Sequence, residues 1–67
     1  MKVYLTYYNE YDGIVIIGIT DTIAKAYGLF LTDIKGVDEW VVKSKREELC
    51  IDEYELNGDK PIRSIEI

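Results

Sequence analysis

Residues 2–20 read KVYLTYYNEYDGIVIIGIT, and this stretch decides the fold. Lys2–Asn9 alternates as a strand does, with two sets of good sheet-forming side chains on opposite faces: Val3, Leu5 and Tyr7, and Tyr4, Thr6 and Tyr8. Glu10–Gly13 is typical of a turn. The β-branched run Ile14–Ile19 then predicts a central strand covered on at least one face. The short connection predicts that the two strands form a hairpin.

A helix is predicted after the hairpin. Thr20, Asp21 and Thr22 are residues whose side-chain oxygens accept the free N–H groups of a first helical turn. An apolar stripe follows at spacings of three and four, formed by Ile23, Ala26, Tyr27, Phe30 and Ile34. We expect this stripe to lie on the sheet, Gly36 to end the helix, and Gly28 to mark a close approach of helix to sheet.

The middle of the chain is ambiguous. Trp40–Val42 has strand propensity, whereas Lys43–Glu48 is typical of a solvated turn or a helix. We favour a short strand and a charged loop for Val37–Glu48, with a helix as the alternative.

The end of the chain predicts a second hairpin. Leu49–Leu56 is a strand pattern, Asn57-Gly58 is a strong signal for a two-residue turn with two positive φ angles, and Ile62–Ile67 returns as the last strand. Pro61 suits the first residue of an edge strand. The fold expected for residues 1–67 is therefore a single α+β domain. Its mostly antiparallel sheet has four or five strands in ββαββ order, with or without an extra short strand after the helix, and one helix packs on one face.

Three segments together resemble a known family. They are the opening around Val3-Tyr4-Leu5, the Ile17–Thr20 junction before the helix, and Ile51–Leu56. In this combination the chain resembles a domain-of-unknown-function family of small bacterial and phage proteins built from a hairpin, a helix and a closing hairpin. The resemblance covers most of the chain and departs at Trp40–Glu48. It implies a fold, and no activity, cofactor or catalytic residue.

Composition argues against catalysis. The 67 residues include no histidine, one cysteine, and thirteen Asp and Glu against eight Lys and Arg, for a net charge of −5. Cys50 has no histidine to act as its base and too few companions for zinc, so we expect a buried core thiol, no metal and no cofactor. Glu53 and Glu55 share a strand face, which we expect to be solvated. We predict that the chain is not an enzyme.

The same composition restricts location and partners. Excess acid disfavours direct binding of nucleic acid or of a membrane surface, because both need clustered Lys and Arg. No apolar run is long enough to span a bilayer, and a lone cysteine is uncommon in a small secreted protein. We therefore expect a soluble protein in the cytoplasm of a bacterial or infected host cell.

Three groups of residues are candidates for binding a protein partner. The acidic stretch near the end of the chain would attract a basic groove, tyrosines near the first hairpin could anchor an interface, and a lone tryptophan is either a core residue or an exposed anchor. These candidates are Glu47, Glu48, Glu53 and Glu55; Tyr7, Tyr8 and Tyr11; and Trp40. The function expected is a small acidic, non-catalytic protein-binding module, in its sharper form a phage-type inhibitor that blocks a basic, nucleic-acid-handling surface of a host protein. The alternative is a structural or housekeeping homodimer.

Overall fold

The first two strands form the predicted hairpin in a computed structural model that describes residues 1–66. Strand β1 spans Lys2–Glu10 and strand β2 spans Gly13–Thr20, paired antiparallel. Gly13 follows the turn and has a backbone φ of 139°, which residues other than glycine rarely adopt. The first half of the chain thus follows its local signals.

The sheet places this hairpin differently from the prediction. Strand β3 spans Leu49–Glu55, strand β4 spans Arg63–Ser64, and the strand order is β2-β1-β3-β4, antiparallel throughout. The Ile14–Ile19 run therefore lies at an edge of the sheet, and its prediction as a central strand is wrong. A β-branched run predicts a strand but does not determine its place in the sheet, and here the pairing of β3 with β1 makes β1 central.

Helix α1 spans Ile23–Asp33 and confirms the predicted helix. The Thr22 hydroxyl accepts a hydrogen bond from the Lys25 backbone N–H at 3.1 Å, which caps the first turn. Ala26 and Phe30, both in the predicted stripe, are fully buried against the sheet.

The close approach of helix to sheet occurs at a strand glycine. A Cβ added at Gly18 of β2 would lie 2.5 Å from Leu29 Cδ1, whereas a Cβ at Gly28 would meet nothing within 4 Å. The role expected for Gly28 is therefore wrong, because Gly28 faces open space.

A second helix, α2, spans Glu39–Glu48 where a short strand and a charged loop were favoured. Glu39 in its first turn matches the helix dipole, whereas the last turn carries Lys45 and Arg46 together with Glu47 and Glu48. Both basic residues also contact α1: Lys45 Nζ lies 3.1 Å from Asp33 Oδ2, and Arg46 donates to the Tyr27 hydroxyl. These contacts favour the helix over the strand propensity of Val41 and Val42, and the ββαββ order with a single helix is wrong.

The second hairpin is also not as predicted. A loop, residues 56–62, separates β3 from β4, and the Gly58 N–H donates to the Glu55 carbonyl at 2.7 Å to close a turn. Asn57 has a φ of 70°, but Gly58 is not among the described residues with positive φ. Pro61 belongs to this loop rather than to the strand. Ile67, predicted as the end of the last strand, lies outside the described residues.

Both helices cover the same face of the sheet, which gives a two-layer α+β architecture. On this covered side, the Tyr8 ring packs edge-on against Phe30, with the ring centroids 6.4 Å apart, and Lys45 Nζ lies 4.6 Å from the Tyr8 ring centroid. The α+β class and the four-stranded antiparallel sheet are thus confirmed. Within residues 1–66, neither helix is long and apolar enough to cross a membrane.

Candidate functional site

The candidate site is the sheet face that the helices leave uncovered. On β1 the side chains of Tyr4, Thr6 and Tyr8 are buried beneath the helices, so the alternate residues of the strand point to the opposite side. Residues paired directly across antiparallel strands share a face, which places the partners of those alternate residues on the same side. We call this surface the open face. It comprises Val3, Leu5, Tyr7, Asn9, Ile14, Ile16, Ile19, Cys50, Asp52, Tyr54 and Ser64.

Strand β2 supplies the most exposed apolar side chains of the open face. Ile14, Ile16 and Ile19 retain 56%, 57% and 66% of their surface exposed. The pairing of β1 with β2 shifts between Thr6 and Tyr7, so Ile17 is an extra residue. This bulge moves Ile19 onto the same face as Ile16 despite their odd spacing.

A buried carboxylate lies near the middle of the open face. Asp52 is 8% exposed, and its two oxygens accept hydrogen bonds from the Tyr7 hydroxyl at 2.9 Å and the Ser64 hydroxyl at 2.7 Å. Burial, followed by the neighbouring Asp52 carboxylate, raises the pKa of the Tyr7 hydroxyl far above its ordinary value. Tyr7 therefore stays protonated at neutral pH and acts as a donor, not as a base.

The open face has one concave end. A shallow depression of about 190 Å³ is lined by Val3, Leu5, Ile19 and Tyr54, together with Glu55, Asn57 and Gly58. The opposite end of the same face is formed by the start of β2, at Ile14, and the adjacent end of β1. The surface can thus receive an apolar side chain at one end and offers exposed isoleucines toward the other.

The predicted acidic surface is not assembled as expected, because Glu53 lies on the covered side. Glu53 is 2% exposed and accepts hydrogen bonds from the Tyr4 hydroxyl and from the Arg63 guanidinium, while Lys2 Nζ lies 3.8 Å from its carboxylate. The guanidinium of Arg63 lowers the pKa of the Glu53 carboxyl below its usual range. The expectation of a solvated strand face at Glu53 is wrong, since a neighbouring strand supplies a cation that lets the carboxylate be buried.

The other acidic candidates lie on different elements. Glu47 is exposed and Glu48 half-buried at the end of α2. Glu55 forms an exposed ion pair at 2.6 Å with the N-terminal ammonium of Met1. The four predicted glutamates therefore do not form one continuous surface.

The three tyrosine candidates are also separated. Tyr7 belongs to the open face, whereas Tyr8 is buried on the covered side and donates to Asp33 at 2.7 Å. Tyr11 is fully exposed at the hairpin tip. Alternation along β1 explains why neighbours in sequence do not form one cluster.

The structure decides between the two alternatives for Trp40 and corrects the expected position of Cys50. Trp40 is 72% exposed on α2, beside a surface depression of about 590 Å³, so it is not a core residue. Cys50 is a free thiol on the open face, half-buried rather than part of the core. Among residues 1–66, no three His, Cys, Asp or Glu side chains come together in a group that could hold a metal ion.

The apolar isoleucines of β2 are the functional candidates that sequence reasoning missed. The signal is the run Ile14–Ile19, which is apolar on both faces of the strand, but such a run also predicts a buried strand.

A scan against protein-family models matches none. Searches of curated proteins and of solved structures likewise find no match. The resemblance to a small bacterial and phage family therefore stays a prediction.

Proposed function

We propose that this chain is a small non-catalytic protein-binding module whose docking surface is the open face. The observation that carries the proposal is the uncovered, largely apolar sheet face, with Ile16 and Ile19 each more than half exposed. In a two-layer α+β domain the second face of an antiparallel sheet is normally polar where it meets water. An apolar face of this extent is typical of a surface that meets another protein.

The shape and chemistry of the open face favour a protein over a small ligand. Its depression is only about 190 Å³, below the roughly 300–1,000 Å³ of ordinary ligand pockets. Tyr7 and Tyr54 add aromatic area with hydroxyl groups that tolerate water, as interface residues do. A flat apolar surface with tyrosines therefore fits a protein partner best.

The polar cluster on the open face supports binding rather than catalysis. Tyr7 and Ser64 both donate to Asp52, so the carboxylate oxygens are already engaged. The high pKa of Tyr7 leaves it without a basic form at neutral pH. The cluster lacks an activated nucleophile and stabilises the strands β1, β3 and β4 against each other.

The narrower hypothesis of a charge-mimicking inhibitor needs several acids on one exposed surface. Glu53 is buried in its ion pairs, and Glu55 is paired with the N-terminus. We therefore base the proposal on the open face, and a basic host surface remains one partner that the experiment below can reveal.

The test compares two lysine substitutions at exposed apolar positions. Ile16→Lys lies on the open face and is 57% exposed, whereas Leu31→Lys lies on α1 and is 52% exposed. Each protein is immobilised, incubated with a lysate of the source organism, and washed, and the retained proteins are identified by mass spectrometry. Circular dichroism and melting temperatures establish that both variants are folded.

We expect the native chain and Leu31→Lys to retain the same partner protein from the lysate, and Ile16→Lys to lose it. Copies of the same chain present in the lysate count as such a partner. A buried lysine without a counter-charge would weaken such a complex by several kcal/mol. Equal retention by both variants, or equal loss, would exclude the open face as the docking surface.

A further inference from the structure

We propose that the partner on the open face is a second copy of this chain, so that two sheets stack face to face about a two-fold axis. This inference rests on the proposed function and names the partner of the same surface. It describes a four-layer dimer in which the helices lie outside and the open faces form the centre, about 10 Å between sheets.

The charge distribution favours self-association despite the net charge of −5. Among the residues of the open face only Asp52 is charged; it is 8% exposed and already accepts two hydrogen bonds. Glu55, which also lines the depression, is paired with the N-terminal ammonium of Met1. Two copies would therefore bring little exposed like charge together at the interface. A basic partner would gain little from the centre of this face, because exposed acids lie outside it: Glu47 on α2, Glu10 and Asp12 at the tip of the first hairpin, and Asp59 in the loop 56–62.

The shape of the open face is self-complementary. Its depression lies at the end of the sheet near Val3 and Tyr54, while the exposed Ile14 and Ile16 lie toward the other end. A two-fold axis lying between the sheets and across the strands brings each end of one copy over the opposite end of the other. Each copy then offers isoleucines to the depression of its partner, as an isologous interface requires.

The available area matches a small dimer interface. The four strands have nine, eight, seven and two residues, which at about 3.3 Å per residue and 4.8 Å between strands gives a face of about 400 Å² in projection. Specific but weak interfaces bury up to about 600 Å² per partner. The chain also exposes 4908 Å², above the roughly 4,400 Å² typical of a folded monomer of this size.

Edge-to-edge pairing of β2 is the less favourable way to join two copies. The bulge at Ile17 interrupts the strand, so residues before and after it would alternate out of phase with a second β2. Bulges of this kind protect edge strands from pairing. Stacking through the open face does not depend on that alternation, because it joins the faces of two sheets and not their edges. It also buries the exposed isoleucines.

Sedimentation velocity of the purified chain, from about 1 μM to about 1 mM, tests the inference because small interfaces of this class give micromolar dissociation constants. We expect the native chain and Leu31→Lys to dimerise with the same dissociation constant and Ile16→Lys to dimerise at least about a hundredfold more weakly or not at all. An equal dissociation constant for all three proteins would overturn the inference, because the dimer would then use another surface.

Alkylation of Cys50 tests the same interface without any substitution. Its thiol lies on the open face, so pairing through this face shields it. If only the monomer reacts, the rate of reaction with iodoacetamide falls about tenfold when 90% of the chains are paired, by mass action. A rate that does not change across the concentrations at which dimers form would overturn the inference.

These experiments separate failure of the inference from failure of the proposed function. A native chain that stays monomeric throughout, together with lysate capture that Ile16→Lys abolishes and Leu31→Lys preserves, overturns the second copy and leaves the protein-binding function standing. If Ile16→Lys changes neither self-association nor capture, both are overturned.

Discussion

Substitution of Gly18 is expected to reveal how closely α1 lies against the sheet. An alanine Cβ at this position would lie 2.5 Å from Leu29 Cδ1, well inside the roughly 3.5–4.0 Å at which carbon atoms pack favourably. Gly18→Ala therefore forces the Leu29 side chain, or the helix that carries it, to move.

Two opposing contributions set the change in the free energy of unfolding caused by Gly18→Ala. Overpacking of this kind costs about 1–3 kcal/mol, and loss of chain entropy in the unfolded state returns about 0.4–1 kcal/mol because Gly18 does not have a positive φ. Leu29 Cδ1 is the far end of a flexible, half-buried side chain, so the overpacking cost lies at the lower end of its range. We expect a net loss of up to about 1 kcal/mol, which lowers the melting temperature of a domain of this size by up to about 4–8 °C.

A double-mutant cycle with Leu29→Ala isolates the contact. In the Leu29→Ala background the Cδ1 atom is absent, so Gly18→Ala should become neutral or stabilising by up to about 1 kcal/mol. Urea unfolding of the four proteins measures both effects. If Gly18→Ala were equally destabilising in both backgrounds, the contact between Gly18 and Leu29 would not be its cause.

Two further predictions concern the loop and the buried hydroxyls. Gly58→Ala should destabilise the fold by about 1–3 kcal/mol, because its Cβ would lie 2.9 Å from the Glu55 carbonyl oxygen. Gly28→Ala should stabilise the fold by about 0.5–1 kcal/mol, because its Cβ would meet nothing within 4 Å in α1. Melting temperatures that change in the same direction for both variants would contradict this pair of predictions. Burial raises the pKa of Tyr8, so the stability it provides is fully present below the unfolded-state value of about 10 and is lost as the pH rises above it. Tyr8→Phe should therefore make the fall in urea midpoint above about pH 10 shallower, and an unchanged slope would contradict this reasoning.

Local signals were enough for most of the secondary structure. The hairpin of β1 and β2 and the capped helix α1 follow from patterns within a few residues: alternation, turn residues and a threonine at the helix start. Asn57 also takes the positive φ that its turn signal predicts. The two-residue hairpin failed because β4 pairs with β3 farther along the chain, so a loop separates the strands.

The identity of α2 depended on contacts with a distant element. Val41 and Val42 favour a strand by local propensity, but the segment is helical, and from this helix Lys45 and Arg46 contact Asp33 and Tyr27. Intrinsic propensities differ by less than about 1 kcal/mol per residue, so such contacts are sufficient to reverse them.

The candidate site shows the same division. The sequence by itself determined that β1 and β2 would be apolar on both faces, because both residue sets of each strand are good sheet formers. It could not determine which face the helices would cover, since either choice buries apolar side chains. Only the tertiary structure decided this, by burying Tyr8 against Phe30 and by pairing the buried Glu53 with Arg63 of the last strand. Those contacts join residues far apart in the chain, and they leave Ile16 and its neighbours on the face that remains open.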